Sequence, residues 1–207
     1  GNESRRLLDV AEAAVKPYGF RDWGVELLEG DKEAAYTWLS VNLLMGSLRP
    51  GVQAVHDPVV VMDMRSVSLQ VAHFMHDRDV QRAKRHRRGS YVRQLRLPYQ
   101  SGTAHIYRHS YLGYGLLEAR SRTLKTWPEA SRPNDAHPCL VPGFHGFAAN
   151  LTACMEMVQV LLGLNTSCGS AHSLAQGRCT FAGAWDAPWR GHRVVLLSYF
   201  FDRLLHA

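Results

Sequence analysis

Four apolar residues in a row, Val59-Val60-Val61-Met62, run into a carboxylate at Asp63, and a second extended segment, Ser68–Met75, follows almost at once. A continuously apolar strand is one covered on both faces, so Val59–Met64 belongs inside an α/β sheet. In the second segment Leu69 and Val71 alternate with their neighbours, and His73 falls next on the same side. Two strands joined by a tight turn, each needing cover, commit the chain to a sheet with packed helices.

The rest of the pattern agrees with that class. Ser4–Lys16 is predicted as a helix, capped by Ser4, with Leu7, Ala11 and Val15 on one face and Pro17 and Gly19 ending it. Val25–Leu28 reads as a short strand. Asp31 is placed to cap a second helix reaching about Met45, with Ala35, Leu39 and Leu43 on one face and Gly46 as terminator. Tyr91–Leu97 and Ala104–Tyr107 read as further strands, and Gly113–Trp127 as a third helix stopped by Pro128. Residues 128–147 form a long irregular connection, Ala148–Leu162 a fourth helix, and Arg193–Leu205 a last helix that a strand could lead into.

With 207 residues, 46% of them hydrophobic and 20% charged, the chain is globular and long enough to bury a core. No apolar run reaches the roughly 18 residues of a membrane span. Membrane attachment would come only through segments outside this chain. No Met start and no charged-then-apolar leader is visible, so no targeting segment is seen. Much of the net charge of +6 sits in Arg82-Ala83-Lys84-Arg85-His86-Arg87-Arg88. This reads as a solvated loop joining two strands, with a phosphate- or nucleic-acid-contacting arm as the alternative. Tyr91 is the lone aromatic nearby, which disfavours a single-strand binder. Four cysteines, Cys139, Cys154, Cys168 and Cys179, allow three pairings, and Asn2, Asn150 and Asn165 each open an Asn-x-Ser/Thr sequon. Together they favour the secretory pathway: Golgi lumen, cell surface or secreted.

Three segments carry a resemblance when taken in order: Gly30-Asp31-Lys32-Glu33-Ala34-Ala35-Tyr36-Thr37-Trp38, then Asp63-Met64-Arg65-Ser66-Val67-Ser68-Leu69-Gln70, then His109-Ser110-Tyr111-Leu112-Gly113-Tyr114-Gly115-Leu116-Leu117-Glu118. In this order and spacing they resemble the carboxy-terminal lobe of the apyrases, the nucleoside triphosphate diphosphohydrolases, over about Leu7 to Leu205. The resemblance implies an α/β, ribonuclease-H-like lobe of the actin-like ATPase type, with a mixed β-sheet flanked by helices. Residues 1–207 would then be a single domain, the second of two lobes, with the first lobe absent from this chain as its necessary partner.

The chemistry implied is phosphoanhydride cleavage of nucleoside di- and triphosphates by activated water, with Mg²⁺ or Ca²⁺ as cofactor. Glu33 falls where the family has its general base. Ser68 and Gln70 match residues that orient the attacking water, and Asp63 matches the carboxylate that holds the cation through water. The phosphate loop would be Asp63–Ser68, where the family reads Asp-Leu-Gly-Gly-x-Ser-Thr-Gln. Here Arg65 and Ser66 replace both glycines, beside Met64 and Val67. A β-carbon in such a loop closes the backbone approach to phosphate, whereas a guanidinium could neutralise it. This favours, as alternative, a catalytically impaired nucleotide- or carbohydrate-binding pseudoenzyme. Tyr199 and Phe201 match the aromatics bordering the nucleobase pocket, though an aromatic pair on a helix also reads as core. Trp38 reads as core, and His109–Glu118 as scaffold in which Gly113 and Gly115 permit close packing. By the same resemblance the disulfides would be Cys139–Cys168 and Cys154–Cys179.

Overall fold

The apolar run and its successor fold as a hairpin: β1 (Val60–Met64) lies antiparallel to β2 (Ser68–Phe74), with Asp63 directly opposite Gln70. The structure is a computed structural model and describes residues 2–20, 24–48, 55, 57–86, 88–97, 102–126, 137–140, 150–163, 178–187, 189 and 192–204. β3 (Val92–Arg96), β4 (Thr103–Leu112) and β7 (Val194–Ser198) complete a five-stranded sheet in the order β3-β4-β2-β1-β7. All its pairings are antiparallel except that of β1 with β7, so the sheet is mixed. β5 (Arg178–Cys179) and β6 (Trp185–Asp186) form a separate two-stranded ribbon. The helices are α1 (Asn2–Val15), α2 (Gly30–Leu44), α3 (Asp77–Arg85), α4 (Leu116–Lys125), α5 (Leu151–Leu161) and α6 (Tyr199–Leu204). Among the described residues no helix is long and apolar enough to cross a membrane.

Strand alternation divides the core into two layers. Val61 and Ala72 face α2 and pack with Ala34, Ala35, Trp38, Leu95, Ala104 and Ile106. Leu69 and Val71 face the other way, against Val80 and Ala83 of α3, Tyr107, Tyr111 and Trp185. Trp38 is fully buried and donates its indole N–H to Val59 O at 3.0 Å, which fixes α2 over the start of β1.

Four local expectations give way to tertiary structure. Val25–Leu28 forms no strand, and Leu27 is 70% exposed. Ser4 lies inside α1, which starts at Asn2. Asp31 does not cap α2: it sits in the first turn and reaches across to β4 instead. The basic run is no simple loop, because its first part is the last turn of α3. Asp77 and Asp79 in the first turn and Arg82, Lys84 and Arg85 in the last suit the helix dipole, while Val80 and Ala83 bury the inner face.

The cysteine pairing is also corrected. Cys139 is bonded to Cys154, fifteen residues on. The resemblance-based pairs Cys139–Cys168 and Cys154–Cys179 therefore cannot form together with it, since each needs one of these sulfurs. The reason is local: Asn150 N–H donates to Pro138 O at 3.0 Å, which lays the first turn of α5 beside Cys139. Cys168 lies outside the described residues, as does Asn165. The Cys179 backbone pairs with Trp185.

Candidate active site

The site begins with the parity of the hairpin. Asp63 and Gln70 are cross-strand partners and both point toward α2. Ser68, two residues before Gln70, shares that face. On β4, Ser110 is opposite Gln70.

Helix α2 comes down on this face because its first residue has no side chain. A β-carbon at Gly30 would lie 2.5 Å from Ser110 Oγ, 2.9 Å from Ser110 Cβ and 3.6 Å from Gln70 Nε2. Asp31 then fastens the helix end, accepting from Ser110 N–H at 2.9 Å and pairing with Arg108 Nη1 at 2.5 Å. With its start held so, the next turn of α2 delivers Glu33 to the hairpin.

Four side chains close into one network there. Glu33 Oε2 accepts from Gln70 Nε2 at 2.6 Å, and Glu33 Oε1 is paired with Arg65 Nη1. Arg65 Nε–H donates to Asp63 Oδ2 at 2.8 Å. Ser198, at the end of β7, donates its hydroxyl to Asp63 Oδ1 at 2.6 Å. Ser198 stands at φ 58, off the extended path of its strand, and that turn lets its side chain reach Asp63. The hydrogen bond from Arg65 to Asp63, and then the charges of Asp63 and Glu33, raise the Arg65 pKa above its ordinary value. Gln70 is 2% exposed, and its Oε1 has no donor partner.

The turn between β1 and β2 is pinned from below. Arg65 N–H donates to Ser68 O at 2.9 Å, and Leu116 N–H donates to Arg65 O at 2.8 Å. Leu117 and Glu118 N–H both donate to Ser66 O, and Gly113 and Gly115 N–H to Val67 O. The free amides opening α4 are thus satisfied by the loop. Gly115 makes this possible: a β-carbon there would stand 2.4 Å from Ser68 N and 2.5 Å from Arg65 O. Neither Arg65 nor Ser66 is in the left-handed region; the described non-glycine residues there are Asp57 and Ser198. Arg65 and Ser66 therefore put no backbone strain into the loop.

As arranged, these residues do not fit a divalent cation. The Asp63 side chain is 3% exposed and each of its oxygens already accepts a hydrogen bond. Both Glu33 oxygens are engaged as well. Among the described residues no group of three or more His, Cys, Asp and Glu side chains could hold a metal.

The remaining candidates are spread around this centre. Met64 points away, packing against the layer of Val71 and Tyr107. Ser66 is half-buried and Val67 is 51% exposed at the loop tip. Tyr199 and Phe201 follow Ser198, which is registered beside Met64; Tyr199 is half-buried and Phe201 is 59% exposed, while Phe200 between them packs inward. His109 is scaffold, half-buried between the rings of Tyr91 and Tyr111, and burial lowers its pKa. The sequence reading missed Ser198 and the anchoring pair of Arg108 and Ser110. A serine directly before the Tyr199–Phe201 aromatics was the available signal for the first.

Residues 3–202 match the model of the GDA1/CD39 (nucleoside phosphatase) family. Among curated proteins the chain is 31% identical over 205 residues to "Probable apyrase 1" of Oryza sativa subsp. japonica, an alignment covering 90% of this chain and 39% of that protein. It is 39% identical over 218 residues to the guanosine-diphosphatase of Schizosaccharomyces pombe, covering 88% and 37%. Against "Ectonucleoside triphosphate diphosphohydrolase 6" of Homo sapiens it is 29% identical over 152 residues, covering 70% and 30%. The chain spans about two-fifths of the length of the first curated relatives it matches.

Proposed function

This chain belongs to the GDA1/CD39 (nucleoside phosphatase) family, and from that premise we propose that it is the base-bearing lobe of a nucleoside tri- and diphosphate hydrolase. Its mixed sheet flanked by helices is the actin-like fold of that family. The missing first lobe faces the Glu33 hairpin and supplies the other half of the phosphate cradle. Residues 1–207 act as one domain, working in the secretory pathway.

The observation that carries this reading is the pairing of Glu33 with Gln70 at 2.6 Å, beside an unpartnered, buried Gln70 Oε1. A buried acceptor of this kind is a place for a hydrogen-bonded water. The attacking water would be held beside the Glu33 carboxylate and the Gln70 amide, with the Ser68 hydroxyl on the same face. Glu33 takes one proton as the water oxygen bonds to the terminal phosphorus and the bridging P–O bond breaks toward the leaving nucleotide. Tyr199 and Phe201 border the base. Asp63 holds the Arg65 guanidinium in place through its hydrogen bond from Nε.

A second reading is favoured by one contact. Glu33 is held by the Arg65 guanidinium, which occupies the Oε1 that would otherwise be free to take a proton from water. In this reading the fold binds nucleotide or carbohydrate with little turnover. Phosphate release from the two-lobed protein separates the two. Appreciable release supports the hydrolase. Release that appears only after Arg65→Gly and Ser66→Gly are combined supports the impaired form. No release from either would remove both glycine arguments.

A further inference from the structure

Two carboxylates thirty positions apart in sequence, Glu33 and Asp63, converge on a single cationic group, and that group belongs to the chain itself. Like charges brought together need a counter-charge, most of all when one carboxylate is buried. Arg65 is not a loose surface arginine that happens to reach them. Its N–H is bonded to Ser68 O and its C=O to Leu116 N, so the side chain springs from a fixed root. Its guanidinium has five N–H donors; one on Nε and one on Nη1 are spent on the carboxylates, and the side chain is 44% exposed. Three donors on Nη1 and Nη2 remain, and a planar guanidinium suits two phosphate oxygens.

We propose that Arg65 is the resident cation of this site: its guanidinium takes the place of a divalent metal between Glu33 and Asp63 and engages a nucleotide phosphate without metal. The ligand class rests on the function proposed above, whereas the exclusion of metal rests on the side-chain network alone. One guanidinium replaces two metal charges, so phosphate affinity here is modest and weakens with added salt.

Two measurements on the two-lobed protein test this. The first titrates Mn²⁺ and follows the free ion by electron paramagnetic resonance. Wild type is expected to show no saturable Mn²⁺ binding that Asp63→Asn removes. Arg65→Gly is expected to gain such binding, and Asp63→Asn in that background to abolish it. The second measures ADP binding in EDTA and in Mg²⁺. Wild type should differ less than twofold between them, while Arg65→Gly should lose at least tenfold affinity in EDTA. If Arg65→Gly does not fold, Arg65→Lys serves: it keeps the charge without the fork, so it should still exclude Mn²⁺ while binding ADP more weakly in EDTA. Asp63-dependent Mn²⁺ binding by wild type, or ADP binding that vanishes in EDTA, overturns the proposal. Absence of ADP binding under all conditions would count against the nucleotide reading instead, and the Mn²⁺ titration would still decide whether Arg65 displaces a metal.

Discussion

Gly30 and Ser110 stand so close that a β-carbon on the glycine would lie 2.5 Å from the serine oxygen and 2.9 Å from its Cβ. Through this contact the first turn of α2 rests on β4 and Glu33 reaches Gln70. The serine hydroxyl can rotate away but its Cβ cannot, so Gly30→Ala must push the helix outward. Overpacking of this kind costs about 2 kcal/mol. Ser110→Gly in the same molecule should recover much of that loss, and a double-mutant cycle by urea denaturation should show a favourable coupling.

Gly115 is the stricter position. The atoms a β-carbon would meet are backbone, Ser68 N at 2.4 Å and Arg65 O and Val67 C at 2.5 Å, and none of them can turn aside. Gly115→Ala should therefore cost about 3 kcal/mol and release the Arg65–Val67 turn. Amide hydrogen exchange should speed up at Leu116, Leu117 and Glu118, whose N–H groups the turn now holds. Unchanged exchange at these three amides would count against the pinned loop.

The hairpin was legible because its physics is local. An apolar run and a short turn suffice to place the two strands, which pair as β1 and β2, whereas the register that sets Asp63 opposite Gln70 came only with the structure. What was not legible depends on distant partners. Asp31 has the chemistry of a cap, yet Ser110 N–H and Arg108, nearly eighty residues away, outbid the helix end for its oxygens. Helix α3 was hidden because its buried face rests on Val80 and Ala83 among arginines, too little apolar signal to outweigh the charge run. Arg65 was legible as a substitution but not as an ion pair, since nothing in the spacing tells a guanidinium to turn back onto Glu33 and Asp63. Ser198 gave no sign of its positive φ, which its contact with Asp63 accompanies.

His73 gives the fold an acid-sensitive point. It is fully buried and stacked on Tyr107, with Nδ1 bonded to Phe74 O and Nε2 unpartnered, and burial pushes its pKa down to about 4 from 6.5. Above pH 6.5 the ring is neutral whether the chain is folded or not. As pH falls from 6.5 toward 4 the unfolded chain takes up the proton first, so the folded state loses roughly 3 kcal/mol across that window. Between pH 7 and pH 4.5 the urea midpoint of wild type should fall further than that of His73→Phe, because only wild type carries this penalty. Parallel pH dependence in the two proteins would contradict it.

The disulfide is tested by peptide mapping without reduction. A linked pair carrying Cys139 and Cys154 is expected. Cys154→Ser should cost about 3 kcal/mol, the loop-closure figure for a fifteen-residue span.

The most direct test of the whole account is the rate of phosphate release from GDP and GTP by the two-lobed protein, with Glu33→Gln measured beside wild type. Removing a general base while keeping its shape should lower the rate by about 10²- to 10⁴-fold. Equal rates in the two proteins would contradict the assignment of Glu33, and with it the claim that this lobe carries the base.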